Sequence, residues 1–359
     1  MMIEDLKMPF AQLPDAQRNI LQKGAVIPAH PLALDSRRQL DERRQRALSR
    51  YYIDAGSGGM AVGVHTTQFA IRETGLYEPV LRLAADEAQT WTDRPLVLIA
   101  GVAGETEQAV NEARTASELG YHAVLVSMSK LKGKTHSELI DHCRAVAAVM
   151  PIIGFYMQSA VGGLRLDYDF WRAFCDIENV VAIKVAPFNR YQTLEVLRAV
   201  ADAHAEDRIT LYTGNDDHIV ADLMTPFQVP RDDGIVTLRF RGGLLGHWSV
   251  WTKSAVDLLD SIHGADAHHP IDPELLGRDA RVTDCNAAFF DVANNFHGCI
   301  AGCHEVLRRQ GLLENVVCLD PEEGLSPGQA EEIDRVCTSH ADISDDAFVS
   351  SNLEKWLSQ

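Results

Sequence analysis

Short apolar runs alternate along the chain with longer segments of helical period. The runs begin near Ala25, Gly59, Leu96, Ala123, Ile152, Val180, Ile209 and Gly234, so consecutive starts lie about 25 to 37 residues apart. That interval holds one strand, one helix and two loops, which is the size of a βα unit. Runs such as Leu96–Ala100 and Val180–Ile183 are apolar at every position instead of alternating. Strands covered on both faces have this pattern. Between the runs, three segments carry helix boundaries of the expected kind: Ser36 to Ala55 after Asp35, Glu105 to Leu119 before Gly120, and Ser137 to Val149 before Pro151. Eight even units within about 240 residues match a (β/α)8 TIM barrel better than an open, doubly wound sheet. The barrel with its lead-in is expected over residues 1–264. Beyond Gly264 the strand-like runs stop, and Asp279 to Leu313 reads as helix. Ser326-Pro327-Gly328-Gln329 has the form of a capping box. Residues 265–359 are therefore expected to form a C-terminal helical region packed on the barrel or on a neighbouring subunit.

Composition narrows the function. The 51 acidic and 33 basic residues give a net charge of −18, which repels a phosphate backbone and argues against nucleic acid as a partner. The longest apolar stretch, Ala145 to Met157, contains Pro151 and Gly154 and is too short to span a bilayer. Met1 to Leu13 lacks the basic and apolar halves of a secretory leader. Seven cysteines without scaffold-like spacing suit a reducing compartment. The expected location is cytoplasmic.

In this type of barrel the reacting groups lie at the C-terminal ends of strands. Lys184, within Val180-Val181-Ala182-Ile183-Lys184-Val185-Ala186, is the strongest candidate. Burial lowers an amine's pKa, and a neutral amine can attack a ketone to form a Schiff base. A lysine reaching from the strand end to solvent is the structural alternative. Tyr156 ends the preceding run and is a candidate proton shuttle or a partly buried core aromatic. Thr66 and Thr67 end the second run and can bind a carboxylate or serve a turn. Arg239 and Arg241 are candidates for a second anionic group or for rim ion pairs. Asp216, Asp217 and His218 offer cation ligands, although helix capping explains them more simply. His297, Cys299, Cys303 and His304 include a helical cysteine pair, but glycine and apolar neighbours favour core packing.

Lys184 lies 28 positions after Tyr156 and 21 after Gly163, and it completes the run Asn179-Val180-Val181-Ala182-Ile183-Lys184. On these residues the chain resembles the dihydrodipicolinate synthase and N-acetylneuraminate lyase superfamily, from about Ala25 to His263. The resemblance extends to Thr66-Thr67, to Gly214-Asn215-Asp216-Asp217 and, as the eighth strand, to Gly234-Ile235-Val236-Thr237. It implies the same barrel and a homo-oligomer, usually a tetramer. Lys184 would form the imine, Tyr156 would relay protons, and Thr66, Thr67 and the Val236 backbone would hold a pyruvate-like 2-keto acid. No cofactor or metal is implied.

The departures are specific. His65, Gln68 and Phe69 replace glycine, glycine and glutamate of the family loop, and Ser159 replaces the proline of the tyrosine segment. Ser129 and Lys130 stand where synthases carry a tyrosine pair, and Val161 replaces a synthase arginine. Putting Phe155 at the tyrosine position requires a gap, so ungapped spacing selects Tyr156. The expected function is a metal-independent Schiff-base lyase, either an aldolase or a dehydratase, acting on a 2-keto acid derived from a sugar or an aromatic compound. True dihydrodipicolinate synthase activity is not expected. A non-catalytic keto-acid-binding barrel and a metal-dependent barrel lyase are the alternatives.

Overall fold

The computed structural model describes residues 13–265 and 272–358, so the segment before Leu13, read above for a leader, lies outside the described residues. Ten strands occur in it: β1 Val26–Pro28, β2 Gly59–Val62, β3 Val97–Val102, β4 Ala123–Val126, β5 Ile152–Met157, β6 Val180–Ala186, β7 Thr210–Thr213, β8 Phe227–Arg231, β9 Gly234–Leu238 and β10 Phe240–Leu245. Eight of them form one parallel sheet in the order β1-β10-β7-β6-β5-β4-β3-β2. The Ala29–Ala61 bridge and the bond from the His30 amide to the Ala61 carbonyl (2.8 Å) close β1 onto β2. The result is a nearly closed (β/α)8 barrel.

Side chains alternate across its wall, as pleating requires. Ile27, Ala61, Ile99, Leu125, Ile153 and Leu244 fill the interior. Val26, Met60, Val62, Leu98, Val124 and Ile183 face the helices. The two layers explain why strands such as β3 and β4 are apolar on both faces.

The helices are α1 Asp15–Lys23, α2 Glu42–Ala55, α3 Tyr77–Thr90, α4 Thr106–Glu118, α5 His136–Ala147, α6 Tyr168–Cys175, α7 Arg190–Asp202, α8 Ile219–Met224 and α9 Thr252–His263, followed by α10 Glu274–Phe289, α11 Cys299–Arg309, α12 Gln329–Ser339 and α13 Asp346–Trp356. The cap of α2 is Asp41, whose side chain accepts from the Arg44 amide at 3.0 Å. It displaces the expected start at Ser36 because Asp35 is occupied by its own turn, accepting from the Arg37 and Gln39 amides. Thr135 and Glu138 form a reciprocal capping box on α5.

The eighth barrel strand corrects the sequence expectation. The run from Gly234 is β9, which pairs antiparallel with β8 in a hairpin outside the barrel. The position it was assigned is filled by β10, which lies between β1 and β7. Two glycines hide β10 in the sequence, and packing requires both of them. A Cβ on Gly242 would run into the Ala25 backbone, and one on Gly243 would meet the Trp248 ring at 2.6 Å.

The C-terminal helices pack on the barrel through buried polar contacts. Asp345 accepts from the Tyr51 hydroxyl (2.6 Å), the Lys253 amide (3.0 Å) and Gln310 (2.8 Å). The Trp356 indole donates to Asp54, and Arg50 donates to the Trp356 carbonyl. His304 on α11 is 1% exposed. Burial holds its pKa down to about 4, despite an opposing contact with the Val316 carbonyl. Between pH 6.5 and 4 the unfolded chain takes up a proton at this residue that the native state refuses, so its contribution falls with falling pH by about 3 kcal/mol. H304L should therefore gain that much stability relative to the parent as pH falls from 7 to 4. Denaturant titrations across this range check it, and parallel curves for the two proteins would refute it.

Candidate active site

A cavity opens at the C-terminal ends of the strands, with about 570 Å³ of empty space including its mouth. Lys184, on β6, points into it with 8% of its surface exposed. Its ammonium lies 4.3 Å from the centroid of the Phe155 ring. Among the described residues no carboxylate forms an ion pair with it. Gly214 makes room for the side chain: a Cβ there would sit 2.7 Å from Lys184 Cε. Burial lowers the lysine's pKa, and Asp216, which lines the same cavity, partly offsets the shift. Burial raises the carboxyl of Asp216, with Lys184 opposing. The cavity is therefore lined by an amine and a carboxyl whose charged forms are both disfavoured by burial and supported by each other.

Tyr156 is a correction. Its neighbour Phe155 stands opposite Lys184 in the β5–β6 register, whereas Tyr156 is paired with Val185. Tyr156 belongs to the outer layer, where its ring lies 5.3 Å from that of Trp171 on α6. It is buried outside the cavity, and burial raises its hydroxyl to about 12. The cause is an irregularity of one residue: Ile152 pairs with Val180, but Ile153 pairs with Ala182. Val181 is thus an extra residue in β6. One inserted residue shifts the pairing by one and exchanges the faces, so ungapped counting selects the wrong aromatic.

The threonine pair divides its work. Thr66 lines the cavity and donates its hydroxyl to the Ala29 carbonyl at 2.8 Å. Thr67 is fully buried; its hydroxyl donates to the His30 carbonyl and accepts from the Gly63 and Val64 amides. It ties β1 to β2 and does not line the cavity. Val236 lies in the outer hairpin opposite Val229, and Arg239 is exposed, donating to the Met224 carbonyl. Neither lines the cavity, because the sequence expectation placed the eighth strand one hairpin arm too early. Gly246, just after β10, lines it instead. Arg241 is also exposed.

His218 pairs with Asp279 at 3.2 Å, and Asp217 is exposed. The loop that carries Asp216 is held by buried Asp222, which accepts from Thr213 and Asn215 and pairs with Arg190. His297 is exposed and stands apart from buried Cys303 and His304. Among the described residues no three metal-ligating side chains converge, and no helix is long and apolar enough to cross a membrane.

Phe188, Phe290 and Phe296 had no individual signal in the sequence and form an apolar roof. Cys299, expected to pack in the core with Cys303, joins that roof at the start of α11 instead. Phe188 and Phe296 meet edge to face at 6.0 Å. His65 also lines the cavity; burial and the nearby Lys184 lower its pKa to about 4, leaving a neutral imidazole.

Family and relatives indicate a (β/α)8 lyase of the class I aldolase type. The chain belongs to the dihydrodipicolinate synthetase family, whose model matches residues 22–226. Among its relatives, N-acetylneuraminate lyase 2 of Escherichia coli O6:H1 is 24% identical over 313 residues, spanning 86% of this chain and 90% of that protein. The 4-hydroxy-tetrahydrodipicolinate synthase of Clostridium novyi is 31% identical over 131 residues, or 36% of this chain and 42% of that one. The fold is similar to that of YagE, a prophage protein of E. coli K12 solved in complex with pyruvate (TM-score 0.72, 18% identity, 88% of this chain and 98% of that one). It is also similar to N-acetylneuraminate lyase from Fusobacterium nucleatum (TM-score 0.69, 16% identity, 89% and 99%).

Proposed function

We propose that the protein is a Schiff-base lyase that cleaves or dehydrates a 2-keto acid, with Lys184 as the nucleophile. The observation that carries this reading is a desolvated lysine facing a cavity at the catalytic end of the barrel. The neutral amine adds to the keto carbon, water leaves, and the iminium accepts the electron pair released when the neighbouring bond breaks. The backbone after β2 is suited to hold the substrate carboxylate, and the Thr66 hydroxyl can join it by turning from the Ala29 carbonyl. Family membership and the pyruvate complex of a structural neighbour support pyruvate as the common fragment.

Apart from Gln158, the lining contributed by Met157, Val161, Phe188, Phe290 and Phe296 is apolar and is available to the other end of the substrate. This lining favours an apolar or aromatic acceptor over a polyhydroxylated one, because a sugar chain would lose hydrogen bonds to water there without recovering them. Coupled measurement of pyruvate release should show an aryl-substituted 4-hydroxy-2-keto acid cleaved at least about tenfold more efficiently than a sugar acid of equal length, the value of burying one aromatic edge. Preference for the sugar acid would reject the aromatic assignment, and turnover of neither would favour a binding barrel. Chelators are expected to leave turnover unchanged.

Condensation of pyruvate with aspartate semialdehyde should be negligible. Val161 lines the cavity and brings no charge to the semialdehyde carboxylate, a loss of about 1.5–3 kcal/mol, or ten- to a hundredfold. Synthase turnover on the order of 10 per second would contradict this. Cytoplasmic location and assembly as a dimer or tetramer belong to the same proposal.

A further inference from the structure

Imine chemistry needs a group that moves protons at the reacting carbons. Phe155 occupies the place beside Lys184 where a phenol would do this, and Tyr156 faces Trp171. Ser127 and Ser129 bond to each other at 3.1 Å and do not line the cavity. Besides Lys184, the ionisable side chains that do line it among the described residues are His65, Asp216 and Cys299. Burial holds the Cys299 thiol protonated and the His65 ring neutral.

Asp216 is held in place from two sides. Its Oδ1 accepts from the His247 amide at 3.2 Å, in the turn after β10, and its carbonyl accepts from Asn286 of α10 at 2.6 Å. Among the described residues no donor meets Oδ2. Gly214, two residues earlier, is the residue against which Lys184 Cε rests. The groups around the carboxyl are Lys184 from β6, Asp217 from its own loop, His247, and Cys299 and Cys303 from α11.

We propose that Asp216, in place of a tyrosine, carries the protons of the lysine-imine cycle. The proposal rests on Lys184 as nucleophile. As the acid, Asp216 protonates the carbinolamine hydroxyl; the C–O bond breaks, water leaves, and the nitrogen lone pair forms the iminium. The resulting carboxylate takes the proton of the substrate's C4 hydroxyl as the C3–C4 bond breaks. An aldehyde departs and the bonding pair becomes the enamine. Asp216 then returns the proton to C3, and hydrolysis releases pyruvate and the amine.

Pyruvate alone tests this, because its methyl protons exchange with D₂O through the enamine. Proton NMR should show exchange by the parent, with borohydride trapping pyruvate on Lys184. D216N should still trap after prolonged incubation but exchange about a hundredfold or more slowly, the range for losing a general acid–base group. D216E should recover part of the rate. With pyruvate saturating, so that Lys184 is held as the imine, removing the C3 proton requires the carboxylate form, and exchange by the parent should fall with falling pH along a limb above the ordinary carboxylate range. D216N should lose that limb.

Exchange by D216N within about threefold of the parent, or loss of the limb in H65Q instead, would overturn the assignment. So would a folded D216N that loses trapping and exchange together without rescue by D216E. A parent protein that neither traps nor exchanges pyruvate would reject the Lys184 reading itself, a separate result.

Discussion

K184M is expected to lose turnover by about 10⁴-fold or more while folding normally. Methionine preserves the length of the side chain and removes the nucleophile, and an enzyme deprived of its covalent nucleophile retains little beyond binding. The variant should also be at least as stable as the parent. Lys184 is enclosed by Phe155, Ala186 and Gly214, and its lowered pKa means that folding disfavours the charged form present in the unfolded chain at neutral pH. Removing a desolvated amine relieves that cost, as expected where function and stability compete. Steady-state assays and thermal melts on one preparation read both effects. Activity within tenfold of the parent would exclude Lys184 as nucleophile, and a lower melting temperature would show that the amine is structural.

The second large effect concerns Arg72, just after the short turn that carries Thr66 and Thr67. Its guanidinium meets both Glu112 oxygens at 3.0 and 3.1 Å and donates to the Gly63 and Gly101 carbonyls at 3.2 and 2.8 Å. Glu112 also accepts from the Ala103 amide and from Gln108. Both side chains are 9% exposed, so R72A leaves a buried carboxylate without its cation and takes a donor from the Gly63 and Gly101 carbonyls, of which Gly101 keeps the Tyr77 hydroxyl at 2.9 Å. The expected cost is about 3–5 kcal/mol. The Thr66 loop should loosen with it, raising KM for the keto acid more than it lowers kcat. Denaturant melts and kinetics check this. A loss below about 1 kcal/mol would mean that the pair behaves as a surface ion pair.

Seven of the eight barrel strands were readable as short β-rich runs, several of them apolar on both faces because a strand between a filled interior and a shell of helices is covered on both sides. β10 was not. Its inward and outward positions are partly glycine because the Ala25 backbone and Trp248 approach it closely. The preceding hairpin arm, Gly234–Leu238, has the more strand-like run although it lies outside the wall.

Lys184 was legible as a single charge in an apolar strand. The aromatic that faces the cavity was not, since the Val181 irregularity changes which of two adjacent aromatics faces inward without changing the composition. Asp216 looked like turn chemistry until folding placed it beside the lysine. The roof of Phe290, Phe296 and Cys299 depends on contacts across more than a hundred residues, which local pattern does not encode.

Borohydride reduction in the presence of pyruvate, followed by peptide mass mapping, tests the central claim most directly. The expected result is a single reduced pyruvyl adduct on the peptide containing Val180-Val181-Ala182-Ile183-Lys184, dependent on pyruvate and absent from K184M. Adducts scattered over exposed lysines such as Lys355, or none on Lys184 at saturating keto acid, would contradict it.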